Sequence, residues 1–146
     1  MEFIEVTDNA GCIVGMQWLS RAEPVHRQLR DRLPGEYVER LAQLFAGGAR
    51  MTLAVDGDAV CAVALWRVIE NTAEGRRFYI DDLVSDASRG SHGFGGALLT
   101  ALESRARELG CDVVALDSGT QRSRAHAFYF RAGYSIPAFS FRKTMK

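Results

Sequence analysis

The chain has 146 residues, 47% hydrophobic and 25% charged, the composition and size of an ordinary soluble globular protein made of one domain, residues 1–146. Eighteen Lys and Arg balance eighteen Asp and Glu, so the net charge offers nothing to a nucleic acid or an anionic membrane surface. No apolar run reaches the ~18–20 residues that a membrane-spanning helix needs.

In chain order, residues 3–6 read as a short first strand. Two helical segments follow, residues 13–33 and 37–46, parted by Pro34-Gly35. In the second, Val38, Leu41, Leu44 and Phe45 fall on one face at helical spacing. Residues 51–55 and 59–68 read as strands, and Asp56-Gly57 between them is a hairpin signal. A looser turn at 71–75 leads to a strand around Phe78-Tyr79-Ile80-Asp81-Asp82-Leu83-Val84. After a glycine-rich stretch, Leu98, Leu99, Leu102, Ala106 and Leu109 form an apolar helical stripe, with Gly110 suited to end the helix. Residues 112–117 form a further strand and 123–132 a last helix closed by Gly133. Residues 134–144 are expected to supply two short strands broken at Pro137. The predicted order is β-α-α-β-β-β-α-β-α-β-β, a mixed α/β fold with an antiparallel first half.

Cys12, Cys61 and Cys111 form an odd set without metal-like spacing, and Cys61 lies in an apolar run where a thiol serves as a small hydrophobe. No disulfide framework and no metal site are expected, in keeping with a reducing cytoplasm. The first residues carry Glu2, Glu5 and Asp8 and lack the basic segment of a signal peptide.

The most informative stretch is Ser91-His92-Gly93-Phe94-Gly95-Gly96, fed by a strand and opening a helix. Glycines let backbone N–H groups approach an anion closely, and the unpaired N–H groups of a helix start converge there. A phosphorylated cofactor is therefore expected. A P-loop would need Gly-Lys-Ser/Thr, and Gly95-Gly96-Ala97 has no lysine. A dinucleotide fingerprint would place a small residue where Leu98 stands, and only 29 residues remain beyond Asp117 for further βα units. From Ser118 onward there is no acidic residue, whereas Arg122, Arg124, Arg131, Arg142, Lys143 and Lys146 are basic. These either form a solvated rim or face the phosphates.

A second block, Arg122-Ser123-Arg124-Ala125-His126-Ala127-Phe128-Tyr129-Phe130-Arg131-Ala132-Gly133-Tyr134, follows in the right order and at the right separation. Together the two blocks, spanning about residues 78–134, resemble the GNAT superfamily of N-acetyltransferases. The resemblance implies a GNAT-like mixed central sheet with a splayed acetyl-CoA-binding cleft, and acetyl-CoA as co-substrate. It implies pyrophosphate binding by backbone amides of Ser91, His92, Gly93, Phe94, Gly95 and Gly96. It also implies a bulge near Leu83 and Val84 that opens the sheet, with pantetheine pairing to Leu83, Val84 and Ser85. The family pattern departs at two places: Gly90 stands where Arg or Gln is usual, with Arg89 one position earlier, and Arg122 stands where Asn is usual. Arg122 is a candidate cofactor contact.

For chemistry, Tyr129 is the candidate general acid. A phenol with pKa ~10 is protonated at neutral pH and can protonate a departing thiolate of pKa ~8.5. The alternative is a core aromatic beside Phe128. Asp81 and Asp82 are adjacent acids in an apolar strand, and alternation sends them to opposite faces unless a bulge intervenes. By its position in the family pattern Asp81 is the candidate base. A structural acid, or no base at all, are the other readings. His92 is expected to act through its backbone N–H, and His126 reads as a helix-surface residue. The expected activity is direct attack of an amine on the thioester, polarised by backbone N–H of the bulged strand. A non-catalytic acyl-CoA-binding module that senses the cofactor is the other class of function. The acceptor is a small-molecule or protein amine, and the family also suggests a homodimer built through the final strands. Residues 1–50 hold six basic and seven acidic side chains, too balanced to favour a polyanionic or strongly cationic acceptor.

Overall fold

A computed structural model describes residues 1–146. The chain forms two compact units, Met1–Ala115 and Leu116–Lys146. In the first, the strands β1 (Glu2–Glu5), β2 (Arg50–Asp56), β3 (Ala59–Asn71) and β4 (Gly75–Ser85) run antiparallel to their neighbours, and β5 (Val113–Leu116) completes the sheet in the order β1-β2-β3-β4-β5. The sheet is mixed, so β5 lies parallel to β4. It enters beside Arg76, whose carbonyl accepts the Asp112 N–H at 2.7 Å. With four residues against the eleven of β4, β5 runs out before the C-terminal part of β4 does.

Alternation along the strands sorts the core. Met51, Leu53 and Val55 of β2 and Val63 and Leu65 of β3 meet Leu19, Ala22 and Val25 of α1 (Met16–Leu29) and Tyr37, Leu41 and Phe45 of α2 (Tyr37–Ala46). The intervening residues are small: Ala54 pairs with Ala62, and Thr52 with Ala64. That flat face lets α3 (Phe94–Glu108) lie against β2, β3 and β4, with Leu98, Leu99, Leu102 and Ala106 buried. Trp66 of β3 stacks on Phe78 of β4 at 4.5 Å, and its indole N–H donates to Thr52 Oγ1 at 2.9 Å. The hairpin expected at Asp56-Gly57 forms, with Gly57 at φ +60°, where a side chain would be strained. Gly110, at φ +69°, follows the end of α3 as its position in the sequence requires.

The second unit carries α4 (Ser123–Arg131), followed by Gly133 at φ +92°. The two short strands expected within residues 134–144 do not form. Pro137 removes a backbone donor, and a strand without a ladder partner gains nothing from extended backbone. Ile136, Phe139, Phe141 and Met145 remain 64–94% exposed. The Arg142 guanidinium ties the segment to Asp117 at 2.6 Å.

Candidate active site

The site in the first unit is built on the end of β4 and the start of α3. Asp86 closes β4 by capping a short 3₁₀ turn, Ala87–Arg89, accepting from the Ser88 N–H at 3.0 Å. Gln28 of α1 clamps the same loop, donating to Asp86 Oδ1 at 3.1 Å and accepting from the Ala87 N–H at 2.9 Å. The chain then turns through Gly90 (φ +63°) and Gly93 (φ +76°), both in the left-handed region that disfavours side chains. Gly93 caps α3 without any side-chain hydrogen bond, and the first turn holds no acidic residue. The N–H groups at Phe94, Gly95 and Gly96 therefore face outward without a capping partner, under the positive end of a 15-residue helix. A Cβ on Gly95 would stand 2.5 Å from Ser85 Oγ, so the glycine is what lets the helix start meet the end of β4. Ser91, His92 and Gly93 are exposed, Phe94, Gly95 and Gly96 half-buried, and the His92 ring packs edge-on to Phe94 at 6.4 Å. Arg89 lies back toward Asp86, its Nε 3.7 Å from the carboxylate.

The strand is bulged, but not where expected. Leu65 is opposite Asp82 and Trp66 opposite Ile80, so Asp81 is the extra residue; Leu83 and Val84 pair regularly with Ala64 and Val63. The consequence is that both carboxylates share a face. Asp82 stands opposite Leu65, and Asp81 Oδ2 accepts from Arg67 Nε at 2.8 Å; Arg67 lies two residues from Leu65 and so on the same side. A regular strand would have sent one of the acids toward α3.

The two acids are nonetheless unlike. Asp82 is buried: Oδ2 accepts from His26 Nε2 at 2.7 Å and Oδ1 from Arg30 Nε at 2.6 Å. His26, 1% exposed, shares its other ring nitrogen with the Tyr37 hydroxyl at 2.8 Å. Burial alone would raise the Asp82 carboxyl, but His26 and Arg30 hold it below the usual carboxylate range. For Asp81 burial wins over the pull of Arg67 and pushes the carboxyl up. Burial likewise pushes the Tyr37 phenol up.

In the second unit, Tyr129 is half-buried, its ring edge-on to Phe128 at 5.1 Å and to Tyr134 at 5.8 Å. The Tyr134 N–H donates to the Tyr129 carbonyl at 2.9 Å, which sets the turn through Gly133. Burial raises the Tyr129 phenol, against a smaller lowering by the Arg122 guanidinium. Arg122 is the exposed residue preceding α4, and His126 Nε2 meets the Gly119 carbonyl at 2.7 Å.

The sequence model of the Acetyltransferase (GNAT) family matches residues 12–134, most of the chain. The protein belongs to the GNAT acetyltransferase family. It is similar to the uncharacterized N-acetyltransferase YhdJ of Bacillus subtilis (strain 168), 35% identical over 132 residues, covering 87% of this chain and 91% of that one. Its fold is that of an aminoglycoside acetyltransferase, meta-AAC0020, from an uncultured soil metagenomic sample, with a TM-score of 0.79, 18% identity and coverage of 99% and 96%. It is also that of the ribosomal-protein-alanine N-acetyltransferase of Brucella melitensis biovar Abortus 2308, with a TM-score of 0.79, 12% identity and coverage of 99% and 100%. The protein is thus an acyltransferase of a family that uses acetyl-CoA as co-substrate.

For a GNAT enzyme the residues of the first unit fit that co-substrate: outward N–H groups at a glycine-lined helix start, beside a strand end that β5 leaves without a partner. The sequence singled out Ser91–Gly96, Leu83–Ser85 and Asp81, and the structure brings them together in one unit. Sequence reasoning missed His26, Arg30 and Tyr37, which surround Asp82. Nothing local signals them, since they lie 45–56 positions before it. No group of three or more His, Cys, Asp or Glu is placed to hold a metal ion, and no helix is long and apolar enough to cross a membrane.

The buried acid carries a stability prediction. Asp82→Ala leaves the His26 ring N–H buried and unpaired, at a cost of ~1–3 kcal/mol; Arg30, half in water, adds little. Thermal unfolding should come several degrees earlier. The pH arm uses Asp82→Asn. A carboxyl held below its unfolded value stabilises fully above that value, ~3.9, and loses its contribution as pH falls through the folded value. The gap in unfolding temperature between wild type and Asp82→Asn should therefore be full at pH 6 and shrink below pH 4. Asp81, shifted up, acts in the opposite sense and is common to both proteins. A gap independent of pH would refute the assignment.

Proposed function

We propose that the protein transfers the acetyl group of acetyl-CoA to a primary amine by direct attack on the thioester. The observation that supports this most is the meeting of Gly95 with Ser85, which sets the anion-binding helix start against the exposed end of β4. With the pyrophosphate on the N–H groups of residues 91–96, the amide-rich pantetheine arm would pair with Leu83, Val84 and Ser85, replacing ladder partners that β5 does not supply. The thioester would then lie about 10–13 Å along β4, near the bulge at Asp81 and Asp82. Bound acetyl-CoA supplies an acyl group already activated for attack, so no enzyme nucleophile is needed.

Of the two acids at the bulge, Asp81 suits proton acceptance from the ammonium. Its carboxyl is raised, and its Oδ1 is left over once Oδ2 has taken both bonds from Arg67. Asp82 is committed to His26 and Arg30. The role of Tyr129 as acid toward the thiolate rests on its place in the Phe128-Tyr129 motif and on its raised phenol. Arg122, which stands where the family pattern has Asn, is taken as a phosphate contact on the strength of its charge and its place before α4. Residues 1–146 are taken as one functional domain, because the family match runs through both units. Solved structures of this fold carry names that refer to aminoglycosides and to a ribosomal protein, which supports leaving the acceptor as a small molecule or a protein.

The test is calorimetry of acetyl-CoA binding followed by CoA-thiol release with a panel of amines. Micromolar binding and amine-dependent release are expected. A folded protein that binds no acetyl-CoA would overturn the proposal, and binding without turnover of any amine would leave a cofactor sensor.

A further inference from the structure

An open cleft of about 650 Å³ is lined by residues 29–34 at the end of α1 and by Arg40 and Gln43 of α2, and Arg30 in its wall reaches the buried Asp82. Its wall is held in place. Arg27, braced by Glu23 at 2.7 Å, donates to the carbonyls of Leu33 at 2.8 Å and Pro34 at 2.9 Å, fixing the loop between the helices. Three guanidinium groups line the space: Arg30, Arg32 and Arg40.

Their states differ in a way that suits recognition. Arg30 is anchored from behind, with Nε on Asp82 at 2.6 Å and Nη2 on the Asp81 carbonyl at 3.2 Å, so its orientation is set while it remains half exposed. Arg40 makes one contact, from Nη1 to Gln43 Oε1 at 3.1 Å, and forms no ion pair. Arg32 is exposed and has no protein partner. Against them stand Asp82, offset by Arg30, and Asp31, which lines the space with them. A net positive charge remains, carried by planar forks that match carboxylate or phosphate oxygens. Residues 1–50 are nearly balanced in charge as a sequence, but the fold segregates three of their six basic residues into this space.

We propose that this cleft binds an anionic group, carboxylate or phosphate, carried by the acceptor amine, and that Arg32 and Arg40 read it while Arg30 is set in position by Asp82 and His26. The inference rests on the acetyltransferase reading for its connection to catalysis, since Arg30 reaches the two residues at the β4 bulge. Binding of the anion itself does not depend on that reading. Matching the anion end to the cleft leaves the amine end to reach the bulge. A polycationic acceptor would meet repulsion there.

The experiment has two arms on the full chain. Calorimetry compares N-acetylglycine with N-acetylglycinamide, and O-phosphoethanolamine with ethanolamine; acetyl-CoA binding is measured in parallel. CoA-thiol release then compares glycine with glycinamide and the same phosphate pair as acceptors. The anionic member of at least one pair should bind, and be acetylated, at least tenfold better in kcat/KM, and which pair responds tells carboxylate from phosphate. Arg32→Ala/Arg40→Ala should remove the preference with the acetyl-CoA Kd unchanged, and Arg32→Lys/Arg40→Lys should restore part of it. Acetyl-CoA binding with no preference for either anion, or a preference that survives loss of both arginines, overturns the proposal. Arginine-dependent anion binding by a protein that does not bind acetyl-CoA supports the cleft and overturns the acetyltransferase reading instead.

Discussion

Gly93→Asp/Gly95→Asp should bind acetyl-CoA at least a hundredfold more weakly than wild type while unfolding as a single cooperative transition. Three effects add. Gly93 sits at φ +76°, where an L-residue is strained by ~1–2 kcal/mol. A Cβ on Gly95 would stand 2.5 Å from Ser85 Oγ, pushing the helix start off the strand end unless the serine rotates. Above all, two carboxylates would occupy the space of the phosphates and take over the N–H groups that should hold them. Charge-assisted hydrogen bonds contribute ~1.5–3 kcal/mol each, so losing two is ~3–6 kcal/mol, roughly a hundredfold to ten-thousandfold in Kd. Sterics and charge can be told apart. Gly95→Ala should have a small effect, relieved by Ser85→Ala, because the clashing atom is a hydroxyl that can swing away; the acidic pair should not be rescued. Calorimetry of the four variants decides it. Wild-type affinity in the double Asp variant would place the pyrophosphate somewhere else.

The succession of strand, glycine turn and helix was legible in the sequence because its parts are contiguous, within about thirty residues, each with a local signature. The hairpin at Asp56-Gly57 and the helix end at Gly110 were legible for the same reason, since positive φ selects glycine. What stayed hidden depends on distant residues. Whether Asp81 and Asp82 share a face turns on where β3 slips against β4, and nothing in either strand alone sets that register. His26, Tyr37 and Arg30 find Asp82 only when α1 and α2 pack on the sheet, so three buried polar groups and a half-exposed arginine joined to them read in sequence as scattered surface residues. The final strands failed in the other direction. Residues 134–144 alternate well enough to suggest strand, but alternation describes a surface that needs a partner, and the apolar side chains there stay exposed.

Tyr129→Phe is expected to lower kcat by roughly a hundredfold to ten-thousandfold, the range for loss of a positioned general acid, with the Kd for acetyl-CoA unchanged. The substitution removes one hydroxyl and keeps the ring, so the edge-on contacts with Phe128 and Tyr134 survive and the turn through Gly133 is undisturbed. Loss of activity could then not be put down to packing. The pH profile separates acid catalysis from a polar contact. An acid must hold its proton before the step, and burial shifts the Tyr129 phenol up from its ordinary value of ~10 despite the opposing Arg122 charge. Wild-type kcat should therefore stay level through neutral and mildly alkaline pH and fall only above the ordinary phenol range. Tyr129→Phe should show the low rate throughout, with no such fall. Arg122→Ala removes the charge that favours the phenolate, so it should move the wild-type fall to still higher pH. A profile with the same alkaline limb in wild type and Tyr129→Phe would assign that limb to another group, and Tyr129 would then be the core aromatic its neighbours suggest.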